Sequence, residues 1–321
     1  MRVHAGAGRG IRNADKMTME EANIRQNSWR AWLLAARPKT LTGAMVPVMI
    51  GLGLSWADAS GHGDGAFGWI PAVLCMSFAM LMQIDANLVN DFFDCVRGND
   101  EPSTRLGPLR ACTQGWVSLG AMKRAIAGVT AAACIVGLPL VVYGGWEMVL
   151  VGLACVAFCF LYTTHLSYVG MGDVLVLFFF GIVPVTMTYY VQSHTLTWQV
   201  VAASVGCGLV VDCLLIVNNY RDRDNDMRDG KRTLVVAIGA KAAERLYLTL
   251  GILASLLGLV MWYYGHAMAF VLPLLYLVLH VLTWRSMRRI GHGRELNACL
   301  GETARNILVY GLTVTAGLLL S

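Results

Sequence analysis

Long apolar runs, divided by loops that alternate between basic and uncharged, constrain this chain more than any other feature. A helix rises about 1.5 Å per residue, so crossing a hydrocarbon core about 30 Å thick takes about 20 apolar residues. Such runs lie near residues 41–57, 68–90, 119–143, 147–163, 171–192, 198–218, 238–263, 267–284 and 303–320. The 321 residues are 56% hydrophobic and only 14% charged, too little charge to cover a soluble surface. The expected fold class is all-α, a polytopic membrane protein with about nine transmembrane helices.

Basic residues set the orientation. All 25 Lys and Arg precede the first run or fall in alternate loops, while "WADASGHGDGAFG", "YGGWEM", "QSHTLT" and "YYGHAM" contain none. Positive loops stay inside, which predicts a bacterial cytoplasmic membrane, a cytoplasmic N-terminus and, for an odd number of spans, an external C-terminus. The net charge of +5 is then a topology signal, and no nucleic-acid partner is expected. Residues 1–28 read as a disordered polar arm ahead of a domain over 29–321, with Met17 or Met19 as alternative starts. "NSWRAWLLAARPKT" reads as an interfacial helix that Pro38 ends. The cysteines sit mostly in apolar runs without CxxC spacing, as small packing residues do.

Two polar clusters interrupt this greasy pattern. Asn87, Asn90, Asp91 and Asp94 fall at i, i+3, i+4 and i+7, one stripe on the extension of the second run, with Gly98 and then Asp100 beyond it. Asn218, Asp222 and Asp226 repeat at i, i+4 and i+8 on the extension of the sixth, with Asp224 between them. One acidic helix end is usually only solvated. Two on the same side, each preceded by Asn and followed by bases, suggest a shared ligand. Asp in a membrane helix costs about 2.5–3.5 kcal/mol at the centre and needs partners. Oxygen ligands select hard cations, Mg²⁺ first, bound by one or two carboxylates plus phosphate oxygens. Arg105, Arg110, Lys231 and Arg232 add phosphate-reading charge. The combination predicts a Mg²⁺-dependent clamp for a diphosphate with an apolar tail.

These stretches resemble the UbiA superfamily of intramembrane prenyltransferases, whose two Asp-rich motifs bind Mg²⁺ and an isoprenyl diphosphate. The spacing NxxNDxxDxxxGxD, the following "RLGPLRACTQGWVS", and "NNYRDRDNDMRDGKRTL" resemble the branch that prenylates 1,4-dihydroxy-2-naphthoate in menaquinone synthesis. So do "ARPKTLTGAMVPVMIG" and "YVGMGDVLVLFFFGIVPVTMTYYVQ". The resemblance implies helices around a central cavity open to the cytoplasmic side. It implies Asp91, Asp94, Asp100, Asp222 and Asp226 as metal ligands, with Asn87, Asn90 and Asn219 among the substrate-binding residues. Arg37 and Lys231 would touch phosphate or the aromatic acid, Tyr162 would face the allylic carbon, and Asp173 would be the acidic position of this branch. The partners implied are a polyprenyl diphosphate, the naphthoate and membrane lipid, with decarboxylation giving demethylmenaquinol. Tyr162, Tyr168, Phe92, Phe93, Tyr189 and Tyr190 are candidates to hold a carbocation. Acceptors such as 4-hydroxybenzoate, homogentisate or haem are the alternatives within the superfamily. An ion transporter using Asp85 and Asp212 is the alternative from another class. Asp85 and Asp212 have no role in the superfamily pattern, and a hydrogen bond within the bundle is the expectation for Asp212.

Overall fold

The computed structural model describes residues 24–62, 67–98, 105–164, 166 and 170–321, and every regular element among them is helical. Asp100, His165, Tyr168 and the first 23 residues lie outside the described residues. The helices are α1 (Trp29–Ala36), α2 (Thr42–His62), α3 (Trp69–Arg97), α4 (Leu119–Gly137) and α5 (Leu140–Gly144). They continue with α6 (Glu147–Thr164), α7 (Gly172–Ser193), α8 (Trp198–Arg228) and α9 (Leu234–Ile238). The chain finishes with α10 (Ala240–Tyr263), α11 (Ala267–Ile290) and α12 (Leu296–Leu319).

Seven helices are long and apolar enough to cross a membrane, or eight if α1 and α2, bent by 51° at their junction, form one broken span. The nine expected from hydropathy are therefore not reached by that measure. The run over 303–320 corresponds to α12, 24 residues long, whose first half is diluted by Glu302, Arg305 and Asn306. The run over 119–143 is split between α4 and α5, because Pro139 cannot supply the N–H that a continuous helix needs.

α8 is the central element: 67% of its apolar window is buried inside the protein. Its side chains join one large core with α2, α7, α10, α11 and α12, built on residues such as Ile50, Val185, Cys207, Tyr276 and Ile307. α7 approaches α8 so closely that a Cβ on Gly181 would sit 2.4 Å from the Gly208 Cα. Only two glycines permit that contact, and α7 makes a π turn over Phe178–Ile182 at the same place. α3 and α8, with 29 and 31 residues, are longer than a bilayer requires. Their extra turns carry the two polar clusters beyond the apolar core, and those ends meet.

Candidate active site

The C-terminal turns of α3 and α8 line one cavity of about 1570 Å³, larger than the roughly 300–1,000 Å³ of ordinary small-molecule sites. One end reaches the surface past exposed Lys39, Arg228 and Asp229. The remainder runs between α3, α4, α6 and α7 along Phe78, Met82, Leu138, Met148, Val156 and Met187. A polar mouth thus opens into an apolar limb. From α3 the mouth receives Asn87, Asn90 and Asp94. From α8 it receives Asn218, Asn219, Asp222, Asn225 and Asp226. Arg37, Arg105, Arg110, Tyr162, Asp173 and Lys231 line it as well. Asp224 does not, and its side chain is 73% exposed.

Asp94, Asp222 and Asp226 are each matched to a cation. Arg110 Nη2 lies 2.5 Å from Asp94 Oδ2, and both side chains are almost wholly buried. Arg221 grips Asp222 with both arms, Nε to Oδ1 at 2.8 Å and Nη2 to Oδ2 at 2.5 Å. Lys231 Nζ lies 3.9 Å from Asp226. Arg221 is the residue that sequence reasoning passed over. Only 3% exposed, it also donates to Asn218 Oδ1 at 2.9 Å and to Asn297 Oδ1 of α12 at 2.8 Å. A Cβ on Gly107 would meet its guanidinium at 2.8 Å, so the loop after α3 lies flat on this arginine. Only the "NYRD" order hinted at it, since Asn297 is far away in the chain.

Asp91 behaves differently from its neighbours. It is 1% exposed and does not line the cavity. Its Oδ2 accepts the Ala111 N–H at 2.9 Å and its Oδ1 the Cys112 N–H at 3.1 Å. Both oxygens therefore accept from the loop that delivers Arg105 and Arg110. Asn87 is also a positioning group. Its Nδ2 donates to the Ala36 carbonyl and to Thr40 Oγ1, each at 2.9 Å, clamping the turn that presents Arg37. That arginine has φ 50° and ψ 69°, the left-handed region that a non-glycine residue rarely occupies. Its Nη2 is buried without a hydrogen-bond partner, an unspent donor at the cavity mouth.

Electrostatics at the mouth call for an anion. Burial, and next the charge of Arg37, lower the Arg105 guanidinium from its ordinary value to about 10, and Arg221 adds to the effect. Asp222 and Asp94 offset part of this crowding of three arginines, and a bound anion would offset more. Among the described residues no three His, Cys, Asp or Glu side chains stand close enough to hold a metal alone. The donor set still suits Mg²⁺ carried by a diphosphate, which takes one or two carboxylates per ion and completes its shell with phosphate oxygens and water.

The aromatic wall differs from the one expected. Phe92 and Phe93 stack edge to face on each other and lie outside the cavity lining. Tyr189 donates to Asp58 at 2.5 Å, and Tyr190 is likewise not part of the lining. The ring beside Tyr162 is Phe158, centroids 5.6 Å apart, which stacks on Phe179 at 3.9 Å with planes 7° apart. Asp85 lies outside the cavity and accepts a hydrogen bond from Thr130 of α4 at 2.7 Å. Asp212, expected to hydrogen-bond within the bundle, instead has a buried Oδ1 without a partner.

This architecture matches known proteins over most of its length. Residues 44–298 match the UbiA prenyltransferase family. The chain belongs to that family. It is 34% identical over 304 residues to the 1,4-dihydroxy-2-naphthoate octaprenyltransferase of Escherichia coli (strain K12), covering 91% of this chain and 96% of that protein. It is 31% identical over 298 residues to the enzyme of the same description from Mycobacterium tuberculosis (strain ATCC 25618 / H37Rv), covering 91% and 97%. Among solved structures it resembles the apo UbiA homolog from Aeropyrum pernix K1, with TM-score 0.67 at 17% identity over 88% of this chain and 98% of that one. It also resembles a UbiA homolog from Archaeoglobus fulgidus bound to DMAPP and Mg²⁺, with TM-score 0.57 at 14% identity over 89% and 99%. At those identities the two structures establish the shared fold. The protein is thus a multi-helix membrane prenyltransferase.

Proposed function

We propose that this prenyltransferase moves a polyprenyl group from an isoprenyl diphosphate to 1,4-dihydroxy-2-naphthoate, with loss of CO₂, at the cytoplasmic face of a bacterial cytoplasmic membrane. The observation that carries this reading is the convergence of Asp94, Asp222 and Asp226 with Arg37, Arg110 and Lys231 at the mouth of one apolar-walled cavity. The naphthoate as acceptor is supported by the descriptions of the similar proteins and by the GxD spacing after α3.

Asp94, Asp222 and Asp226, with Asn90 beside them, would hold Mg²⁺, which when bound supplies positive charge to the departing diphosphate. Arg37, Arg105 and Lys231 orient the phosphates, and Arg37 enters with a donor already free to make that bond. As the allylic C–O bond breaks, its electron pair leaves with the diphosphate. Tyr162 and the stacked Phe158–Phe179 pair present π faces to the cation left behind. The apolar limb takes the tail and keeps water from the cation. The ring carbon of the acceptor then attacks, and no covalent enzyme intermediate is needed.

The test is direct. Membranes containing the protein are incubated with Mg²⁺, isoprenyl diphosphates and a panel of aromatic acids, and products are identified by mass spectrometry. Demethylmenaquinol formed from the naphthoate, abolished by EDTA and restored by Mg²⁺, is the expected result. Product from 4-hydroxybenzoate or homogentisate instead would reassign the acceptor. No prenyl product from any acceptor, together with cation flux in proteoliposomes, would replace the reading altogether.

A further inference from the structure

Asp212 is a buried carboxylate for which neither the diphosphate clamp nor the packing of the bundle supplies a use. It is 6% exposed, and its Oδ1 has no hydrogen-bond partner. Its helix face explains where it is. Gly208, Asp212 and Leu215 fall at i, i+4 and i+7 of α8, one stripe. Gly208 packs on Leu177 and Gly181 of α7, and the Leu215 side chain lies 3.3 Å from where a Cβ on Gly172 would stand. Asp212 is held between these contacts, inside the α7–α8 interface. Asp173 follows Gly172 on the opposing helix, is 8% exposed, lines the cavity, and also has a buried, unpartnered Oδ1. The Tyr162 hydroxyl approaches Gly172, 3.7 Å from that Cβ position. The two carboxylates lie within electrostatic range of each other and of Tyr162, and Cys213 is the further titratable group beside Asp212. Neither forms an ion pair among the described residues.

Two carboxylates in a wall of low polarity, with no cation to offset them, are too costly to keep doubly charged. We propose that the two groups carry one negative charge between them, that Asp173 is the proton acceptor for the ring hydroxyl of the aromatic substrate, and that Asp212 is the uncharged neighbour behind the cavity wall. This rests on the function proposed above and adds the activation of its acceptor.

The balance of atoms closes. Asp173 takes the proton of the ring hydroxyl next to the carboxylated carbon, which leaves an oxyanion on the ring and an uncharged pair in the wall. That ring carbon forms the C–C bond as the allylic C–O bond breaks, and the leaving diphosphate takes the electron pair. The product of this step is a β-keto carboxylate. It loses CO₂, and the electrons of the broken C–C bond return to the oxygen, which takes back the proton from Asp173. The pair ends as it began, with no oxidant, reductant or net proton required.

The experiment uses the full chain in detergent or proteoliposomes and the variants Asp173→Asn and Asp212→Asn. Each is assayed with the hydroxynaphthoate and with an analogue bearing an electron-withdrawing substituent, whose hydroxyl is already ionised at the assay pH. Thermal protection by isoprenyl diphosphate with Mg²⁺ is measured alongside as a readout of folding and of the diphosphate site. The expected result is a loss of roughly 10²-fold or more with the ordinary acceptor, a ratio to wild type that returns to within a few-fold with the ionised analogue, and undiminished protection. Equal losses on both acceptors, or no loss on either, would overturn the pair's role while leaving the diphosphate reading in place. Absence of protection in the wild type would remove the diphosphate reading and the pair's role with it.

Discussion

Substituting Asp91 and Asp94 separately tests whether the first acidic motif divides into a part that holds a loop and, as proposed, a part that holds a ligand. Asp91 accepts two buried backbone N–H groups. Asp91→Ala orphans both, at about 1–3 kcal/mol for each unsatisfied donor, so about 2–6 kcal/mol before water enters. Asp91→Asn keeps the shape but turns an amide NH₂ toward one of those donors, costing about half as much. Asp94→Asn also costs stability, because Arg110 is 8% exposed and loses the charge that offsets its burial. Melting temperature alone therefore does not separate the two sites. The Mg²⁺ concentration for half-maximal transfer does. Asp91→Asn should lower the melting temperature and the rate while leaving that concentration within about twofold of wild type. Asp94→Asn should raise it tenfold or more, about 1.4 kcal/mol or beyond. If Asp91→Asn raises the Mg²⁺ requirement as much as Asp94→Asn without losing thermal stability, the loop-anchor reading of Asp91 is wrong.

Two further outcomes test the scaffold around the site. Arg37→Gly removes a residue held at φ 50°, a conformation that costs an L residue roughly 1–2 kcal/mol, so it should leave the melting temperature unchanged or higher. The same change should weaken protection by isoprenyl diphosphate at least tenfold, as a competition titration would read. Gly208→Ala places a methyl 2.7 Å from the Leu177 side chain and 2.8 Å from the Leu177 carbonyl oxygen, which the α7–α8 contact cannot absorb. A loss of about 1–3 kcal/mol from overpacking should appear as a lower melting temperature, and the displaced α7 should cut transfer more than it cuts diphosphate binding.

Much of this site is legible in the sequence because helical periodicity is a local property. Asn87, Asn90 and Asp94 share a stripe by spacing alone, and the structure puts all three on the cavity. Asp91 lies at the stripe's edge, about 100° around the helix from Asn90. A reading that groups residues by charge places it with the other acidic residues of the motif, whereas its partners, Ala111 and Cys112, belong to a loop whose path depends on tertiary structure. Arg221 was hidden for the same reason, since Asn297 and Gly107 reach it only through folding. The aromatic wall was misjudged because an apolar run offers rings on every face. Which ring faces the cavity depends on how α6 and α7 are rotated, and that selected Phe158 and Phe179 over Phe92 and Tyr190. The count of spans turns on how the bent α1–α2 pair is taken and on the polar residues that dilute the start of α12.

The matched charges at the cavity mouth have a consequence for how ligands enter. Asp94 with Arg110, Asp222 with Arg221 and Asp226 with Lys231 are already paired without any ligand. Mg²⁺ alone must draw carboxylates from these cations and leave buried positive charge uncompensated. A diphosphate alone meets carboxylates still present at the mouth. Under the proposed function, Asp94, Asp222 and Asp226 would hold Mg²⁺ while Arg110 and Lys231 pair with the phosphates, so that no buried group would be left without a counterion. Binding should therefore be strongly coupled, each ligand tightening the other by the same factor. Calorimetric titrations of Mg²⁺ alone, isoprenyl diphosphate alone, and each in the presence of the other would measure that factor, after correction for their association in solution. A coupling above tenfold that falls toward onefold in Arg110→Gln is expected. Independent, equally tight binding of either ligand alone would mean that these ion pairs stay intact in the complex and that other groups receive the metal.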